Sequence, residues 1–333
     1  MRFGERLRSV FCWLDSSVDA PASTPSDDPS GDDRSDRVDL LRCIPFIGIH
    51  LACLGVIWVG FSWAALSVAV VLYVVRMFFI TAFYHRYFSH RSFRTSRAVQ
   101  LIGAFLGCTS GQRGPLWWAA HHRHHHKHSD AHDDCHSPRR HGFLYSHMGW
   151  FMTPKNFSAN QRYVCDWSKY PELRFLDRYD WLPPLILAIA MYVLGAALAV
   201  WWPTLGTNAA QMVVWGFFVS TVVLYHATYT INSIAHTFGS RRFNTADDSR
   251  NNVWLALFTL GEGWHNNHHY YSSSVRQGFY WWEIDITFYV LAALAKVGLI
   301  WDVRTVPRRV LESSERRVCG ASSVGTKEES NAV

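Results

Sequence analysis

Eighteen histidines occur in this chain of 333 residues, and ten of them fall between His121 and His147. Three groups have the spacing of metal ligands. His122, His125 and His126 stand at i, i+3 and i+4, neighbouring positions on a helix surface, and His265, His268 and His269 repeat that pattern near the other end of the chain. His85 and His90 bracket a third box, and Asn232 and His236, four residues apart, share a helical face. Isolated imidazoles such as His50 and His226 are of the kind that hydrogen-bond inside a fold, and they stay outside the metal site. The nine imidazoles of the boxes and His236 exceed the roughly four to six ligands that one ion usually takes, so they suit two ions. A nitrogen-rich set with no candidate thiolate or carboxylate inside the boxes fits iron, zinc, copper or nickel by ligand type, and the choice among them needs the reaction.

The elements that must carry these boxes are set by charge and hydropathy. Hydrophobic residues make up 49% of the chain and charged residues only 17%, below the roughly 25% of ordinary soluble domains, which excludes a disordered or highly charged protein. From Ile44 to Val75, and again from Trp181 to Ser240, there is no Asp, Glu, Lys or Arg. A bilayer core needs about 20 helical residues to cross it, so each stretch holds two crossings if it turns back on itself. Turn residues at 60–63 and 201–208 predict spans of about 44–60, 63–82, 182–201 and 210–231. The expected fold is an all-α multi-pass membrane protein: four transmembrane helices in two hairpins, with a helical cap formed by 83–180 and 237–305.

The basic residues orient it. Neither hairpin tip carries Lys or Arg, whereas Arg76 to Arg178 alone holds 15 of them against 6 Asp and Glu. The positive-inside rule then puts both termini, the cap and its histidines on the cytoplasmic side. The net charge of +6 is a topological signal and a surface suited to anionic groups, and no nucleic-acid motif accompanies it. The seven cysteines make no C-x-x-C pair, which argues against a disulfide framework. Residues 1–40, Asp/Ser/Pro-rich and without the apolar run of a cleaved signal, read as a flexible arm, and 306–333 as a tail of the same kind. The Trp281 to Trp301 segment, apolar but broken by charges, reads equally as a helix on the membrane surface or as a peripheral core helix.

HRYFSH at 85–90, HHRHHHKH at 121–128, the SPRRHGFLYSHMGW run at 137–150, NSIAH at 232–236 and GEGWHNNHH at 261–269 together resemble the membrane-bound histidine-box fatty acid desaturases, in particular the acyl-CoA (stearoyl-CoA, delta-9) type. The resemblance covers about residues 40–305, with the boxes in the same order. It implies two iron ions held by His85, His90, His122, His125, His126, His236, His265, His268 and His269, with Asn232 reaching one of them through water. It implies O2 as co-substrate and a cis double bond made in a saturated long-chain acyl substrate. An acyl chain carries no polar mark at its middle, so the position of the bond is measured from the head group along a bent tunnel. The family's bend falls here on Gln112, Trp118 and Thr228, and Arg113 and Lys155 are the cations placed nearest a thioester head. His132, Asp134, His136 and Glu262 are the groups expected to orient the ligand imidazoles.

The pattern also departs from the family's. Asp-Cys-His at 134–136 replaces Asp-Pro-His, His141 looks inserted, and Ala120 and Pro154 stand where animal members carry basic contacts to coenzyme A. An acyl-lipid substrate therefore stands beside acyl-CoA. No cytochrome b5-like His-Pro-Gly-Gly, G-x-G-x-x-G or cluster-binding cysteine set is present, so electrons come from an external ferredoxin, cytochrome b5 or flavin reductase. The expected location is a cell membrane rather than the endoplasmic reticulum. A histidine-box hydroxylase is the alternative enzyme. A non-enzymatic metal-binding membrane protein is the alternative from another class, and it would carry its ligands along a path through the spans.

Overall fold

The computed structural model describes residues 11–16 and 37–313, and among them helix dominates. The first apolar stretch forms α1 (Ile44–Val59) and α2 (Trp63–Ser89), and the second forms α6 (Leu182–Trp201) and α7 (Ala209–His236). The reversals have local causes. Gly60 takes φ +72°, which ends α1, and the Ser62 side chain then accepts from Ala65 N to start α2. Trp202 and Pro203 stop α6, Gly206 sits in the left-handed region, and the Asn208 side chain caps α7 through Gln211 N at 3.0 Å.

Three of the four expected spans, α2, α6 and α7, are long and apolar enough to cross a bilayer. The fourth differs: α1 has 16 residues, about 24 Å at 1.5 Å per residue, short of a hydrocarbon core of about 30 Å. The helix starts where the charge-free run starts, at Ile44 with Pro45 in its first turn, and Gly60 ends it one residue short of the expected 44–60. α6 faces outward along most of its length and buries only Pro183, Met191 and Gly195. Gly195 lets the helices touch, because a Cβ there would meet the Ala209 Cα at 2.6 Å.

A second difference is a charge inside α2. Arg76 is buried, and its guanidinium donates to Leu72 O at 3.2 Å, Thr221 Oγ1 at 2.7 Å and Thr109 O at 3.4 Å, and also to Ser220 Oγ. Hydroxyls and carbonyls from three segments thus satisfy a cation that apolar surroundings would otherwise reject.

Beyond the ends of α2 and α7 the chain builds a layer from α3 (Arg97–Cys108), α4 (Pro115–His128), α5 (Pro171–Arg178), α8 (Val253–Phe258), α9 (His265–Tyr270) and α10 (Ile286–Lys296). Its core holds Phe83, Tyr84, Phe88, Phe93, Leu116, Leu173 and Leu291. A short antiparallel pair, β1 (Arg94–Thr95) and β2 (Ile300–Trp301), clips the end of the layer to the segment just after the first histidine box. α10 occupies part of the 281–301 segment and packs by one face, with Thr287 and Leu291 buried while Tyr289 is 45% exposed.

Two parts of the expected arm and tail are packed. Residues 11–16 include a buried Cys12 and are tied down by Arg178 to Asp15 at 2.6 Å and by Trp181 Nε1 to Leu14 O at 2.8 Å. Beyond 306, Val310 packs with Phe243 and Phe279. Anchoring side chains, which composition does not register, account for both; residues 1–10, 17–36 and 314–333 lie outside the described residues.

Candidate metal centre

The last ten residues of α2, Ile80–Ser89, wind as π-helix. That winding is what makes a five-residue histidine spacing useful. An i→i+5 bond, His90 N to His85 O at 3.2 Å, closes the turn and brings the His90 ring edge-on to His85, with Nε2 atoms 3.2 Å apart. In an α-helix the two rings would diverge. α4 and α9 supply the triplets, and each splits its rings in the same way. The i and i+4 rings go to one cluster and the remaining ring to the other.

Two clusters result. The first gathers His85, His90, His122, His126 and His268, and the second His125, His236, His265 and His269; the candidate ligand atoms in each lie within 4.8 Å of one another. Nε2 atoms meet at 2.8 Å for His90 and His122, 2.9 Å for His126 and His268, and 3.0 Å both for His85 and His268 and for His236 and His265. About 3 Å is the separation expected between adjacent nitrogens bound at about 2.1 Å to one ion.

The other ring edge decides which nitrogen is free to bind. His125 Nδ1 donates to Asp134 at 3.1 Å, His236 Nδ1 to Asp130 at 3.1 Å, His269 Nδ1 to Asp247 at 2.7 Å, and His85 Nδ1 to Glu262. A carboxylate only accepts, so these rings carry their proton on Nδ1 and turn an Nε2 lone pair inward. Four buried Nε2 lone pairs turned toward neighbouring imidazole nitrogens suit a cation. Consistent with this, His269 Nε2 is buried with no hydrogen-bond partner. On these grounds the residues fit a pair of metal ions.

Burial works against charge on several of these rings. Desolvation pushes His122, His126, His265 and His268 well below the ordinary imidazole range, with neighbouring rings adding to the effect, and it brings His269 to about 4. His125 goes the other way: burial opposes its charge, but Asp134 more than offsets this and the net direction is upward. Burial alone would raise the Asp130, Asp134 and Asp247 carboxyls; their imidazole partners and backbone donors hold all three below the usual range.

A buried ionic network braces the cage. Arg86, one residue after His85, donates to Glu262 at 3.1 Å, to Asp285 at 2.9 Å and to Val275 O at 2.7 Å, and Gln277 donates to Glu262 at 2.9 Å. Gly261 makes room for it, since a Cβ there would meet Asp285 Oδ1 at 2.4 Å.

The other expected residues divide by position. Trp118 stacks on His122 at 5.0 Å, Gln112 donates to Thr228 Oγ1 at 3.0 Å, and Trp118, Thr228 and Asn232 line both of two adjoining cavities. The larger, about 560 Å³, also touches Gln112, Arg113 and His136. The smaller, about 50 Å³, lies among Met77, Ile80, Thr81 and the rings of His85, His122, His125 and His265. His136 is buried 4.3 Å from the His125 ring. Lys155 lies outside both linings, exposed near the Tyr145 ring. His132 is not brought to the cage: its side chain is 92% exposed and donates to Asp133. Its place is taken by Asp130 and Asp247, which the sequence reading missed. Asp130 could have been found from its i, i+4 relation to Asp134; Asp247, in a loop, offers no such signal.

A fatty acid desaturase family model matches residues 61–304, and the chain belongs to that family. A palmitoyl-monogalactosyldiacylglycerol delta-7 desaturase of Arabidopsis thaliana is 38% identical over 216 residues, 64% of this chain and 54% of the relative. An sn-2 palmitoyl-lipid 9-desaturase of Nostoc is 35% identical over 65% of this chain and 73% of the relative, and an icosanoyl-CoA 5-desaturase of Limnanthes douglasii is 33% identical over 64% and 57%. The matched part thus spans about half the length of the Arabidopsis relative.

Proposed function

We propose that this protein is an O2-dependent acyl desaturase that places a cis double bond, at the delta-9 position, in a saturated long-chain acyl group supplied as acyl-CoA or as an acyl lipid. The observation that carries the reading is the junction of an apolar cavity with two imidazole clusters. The relatives are named as desaturases of lipid-bound and thioester-bound chains alike.

Two iron ions would be held by the five-histidine and four-histidine clusters, Asn232 standing beside the second. Iron bound there supplies the oxidising power to remove hydrogen from unactivated methylenes, using O2 and external electrons. The chain's own residues do the rest. Neutral imidazoles leave the centre positively charged, and Asp130, Asp134, Asp247 and Glu262 fix their orientation. The Gln112–Thr228 hydrogen bond and the Trp118 face bend the acyl chain so that its middle carbons lie beside the clusters. The apolar lining keeps water from the reacting carbons.

In this reading α1 completes four crossings, both termini and the cage face the cytoplasm, and the basic surface receives a ferredoxin, cytochrome b5 or flavin reductase. The test is expression in a host unable to make unsaturated fatty acids, followed by fatty-acid analysis of the wild type and His125→Ala. Growth with a monoene about 2 Da lighter than its precursor supports desaturation. A product about 16 Da heavier would replace it with hydroxylation, and equal rescue by the variant would refute the site.

A further inference from the structure

α4 carries more imidazoles than the two clusters use. His122, His125 and His126 turn to the cage, and His121 Nδ1 lies 3.0 Å from Trp117 O. His124 and His128 are left over. At about 100° per residue they fall on the opposite side of the helix. They stand four residues apart, with ring centroids 4.7 Å apart and planes 30° from parallel. Both are part-exposed, and among the described residues neither imidazole has a hydrogen-bond partner.

The turn that follows α4 adds two groups. Asp133 Oδ2 stands 3.9 Å from His128 Nδ1, beyond hydrogen-bond reach, and Asp133 Oδ1 accepts from His132 Nδ1 at 3.1 Å. That bond leaves the second nitrogen of His132, a ring expected at the cage, as a lone pair in water. The side chains are 25% exposed for His128, 64% for Asp133 and 92% for His132, so each has room to close on an ion.

Two imidazoles at i and i+4 are the pair with which zinc-binding helices hold their ion. The Asp133 carboxylate supplies a charged oxygen. α4 ends at His128, where the unpaired carbonyls of the last turn also favour a cation. Nitrogen donors with one carboxylate oxygen, open to water, suit the borderline divalent ions nickel, copper and zinc. The contrast with the cage is burial. An ion held by exposed rings exchanges with solvent and is lost to a brief chelator wash that buried rings resist.

We infer that His124, His128 and Asp133, with His132 in reach, form a separate, exchangeable surface site for one nickel, copper or zinc ion. The site stands independently of the desaturase reading.

The test uses the full chain, iron-loaded and then briefly washed with chelator. Nickel is titrated in by calorimetry, and nickel-soaked crystals are measured on both sides of the nickel absorption edge. One nickel per chain is expected, with its anomalous density between the His124 and His128 rings. His124→Ala and His128→Ala should each weaken nickel binding at least about tenfold, the loss seen even for groups one step removed from a metal, while the iron content stays as in the wild type. Asp133→Asn should weaken it less. Undiminished nickel affinity in both histidine variants, or density away from these two rings, overturns the inference. Should the histidine variants fail to fold, the wild-type density decides alone: nickel in contact with both rings supports the site, and no nickel there overturns it.

Discussion

The two imidazole clusters are built from the same parts but backed differently. The first has five rings and one carboxylate behind them, Glu262 on His85; the second has four rings and three, Asp134, Asp130 and Asp247. A carboxylate on Nδ1 fixes the tautomer and raises the basicity of the opposite nitrogen. The first cluster would therefore hold an ion by number of donors. The second would hold it by strength of donors, and rings of both clusters line the small cavity beside Asn232.

That contrast can be broken directly. The largest effect is expected from His125→Ala, which removes a ring from the second cluster and strands Asp134 in a buried site; activity should fall below about 1% of wild type, read as monoene formed per iron-loaded protein. Next, Asp247→Asn and Asp134→Asn should each weaken metal binding about 10- to 100-fold, seen by titrating a competing chelator. Equal losses at both clusters would erase the distinction between them. Glu262→Gln should cost the first cluster less, because only one of its five rings, His85, leans on that carboxylate.

Removing the metals exposes the acid–base side of the comparison. Imidazoles whose folded pKa lies below the free value resist protonation, whereas the unfolded chain takes protons from about pH 6.5 downward. The metal-free protein should thus lose stability as pH falls from about 6.5 toward 4, seen as a falling thermal midpoint, and the loaded protein should hold its midpoint further into that range. A flat profile for the metal-free protein would place these rings in solvent. The smallest effect is expected at the bend: Thr228→Val breaks the bond to Gln112 and should redistribute double-bond positions by mass spectrometry while changing the total rate only a few-fold.

Much of this site was legible in the sequence because its ligands come as local patterns. Two triplets at helical spacing announce helices, and the triplets do lie on α4 and α9. The split of each triplet between two clusters was not legible, since one face of a helix can serve two neighbours. Nor was the π winding at the end of α2, which only the five-residue spacing of His85 and His90 hints at. Asp247 and Gln277 join the cage through loops, where separation in sequence carries no period. His132 drew attention by sitting beside Asp134, yet it points to solvent. In the fold, charge-free stretches marked the hairpins and the turn at Gly60, and α1 runs nearly as expected at 44–59, a length too short to cross a bilayer core unaided. Arg76 lies just past the first charge-free stretch, inside the helix rather than at its end, because Ser220 and Thr221 meet it from α7.

The most direct test is metal analysis of the purified full chain with anomalous diffraction at the iron edge. Two irons per chain are predicted, one among His85, His90, His122, His126 and His268 and the other among His125, His236, His265 and His269. A single ion, a tightly held zinc in place of iron, or anomalous peaks away from these rings would contradict it.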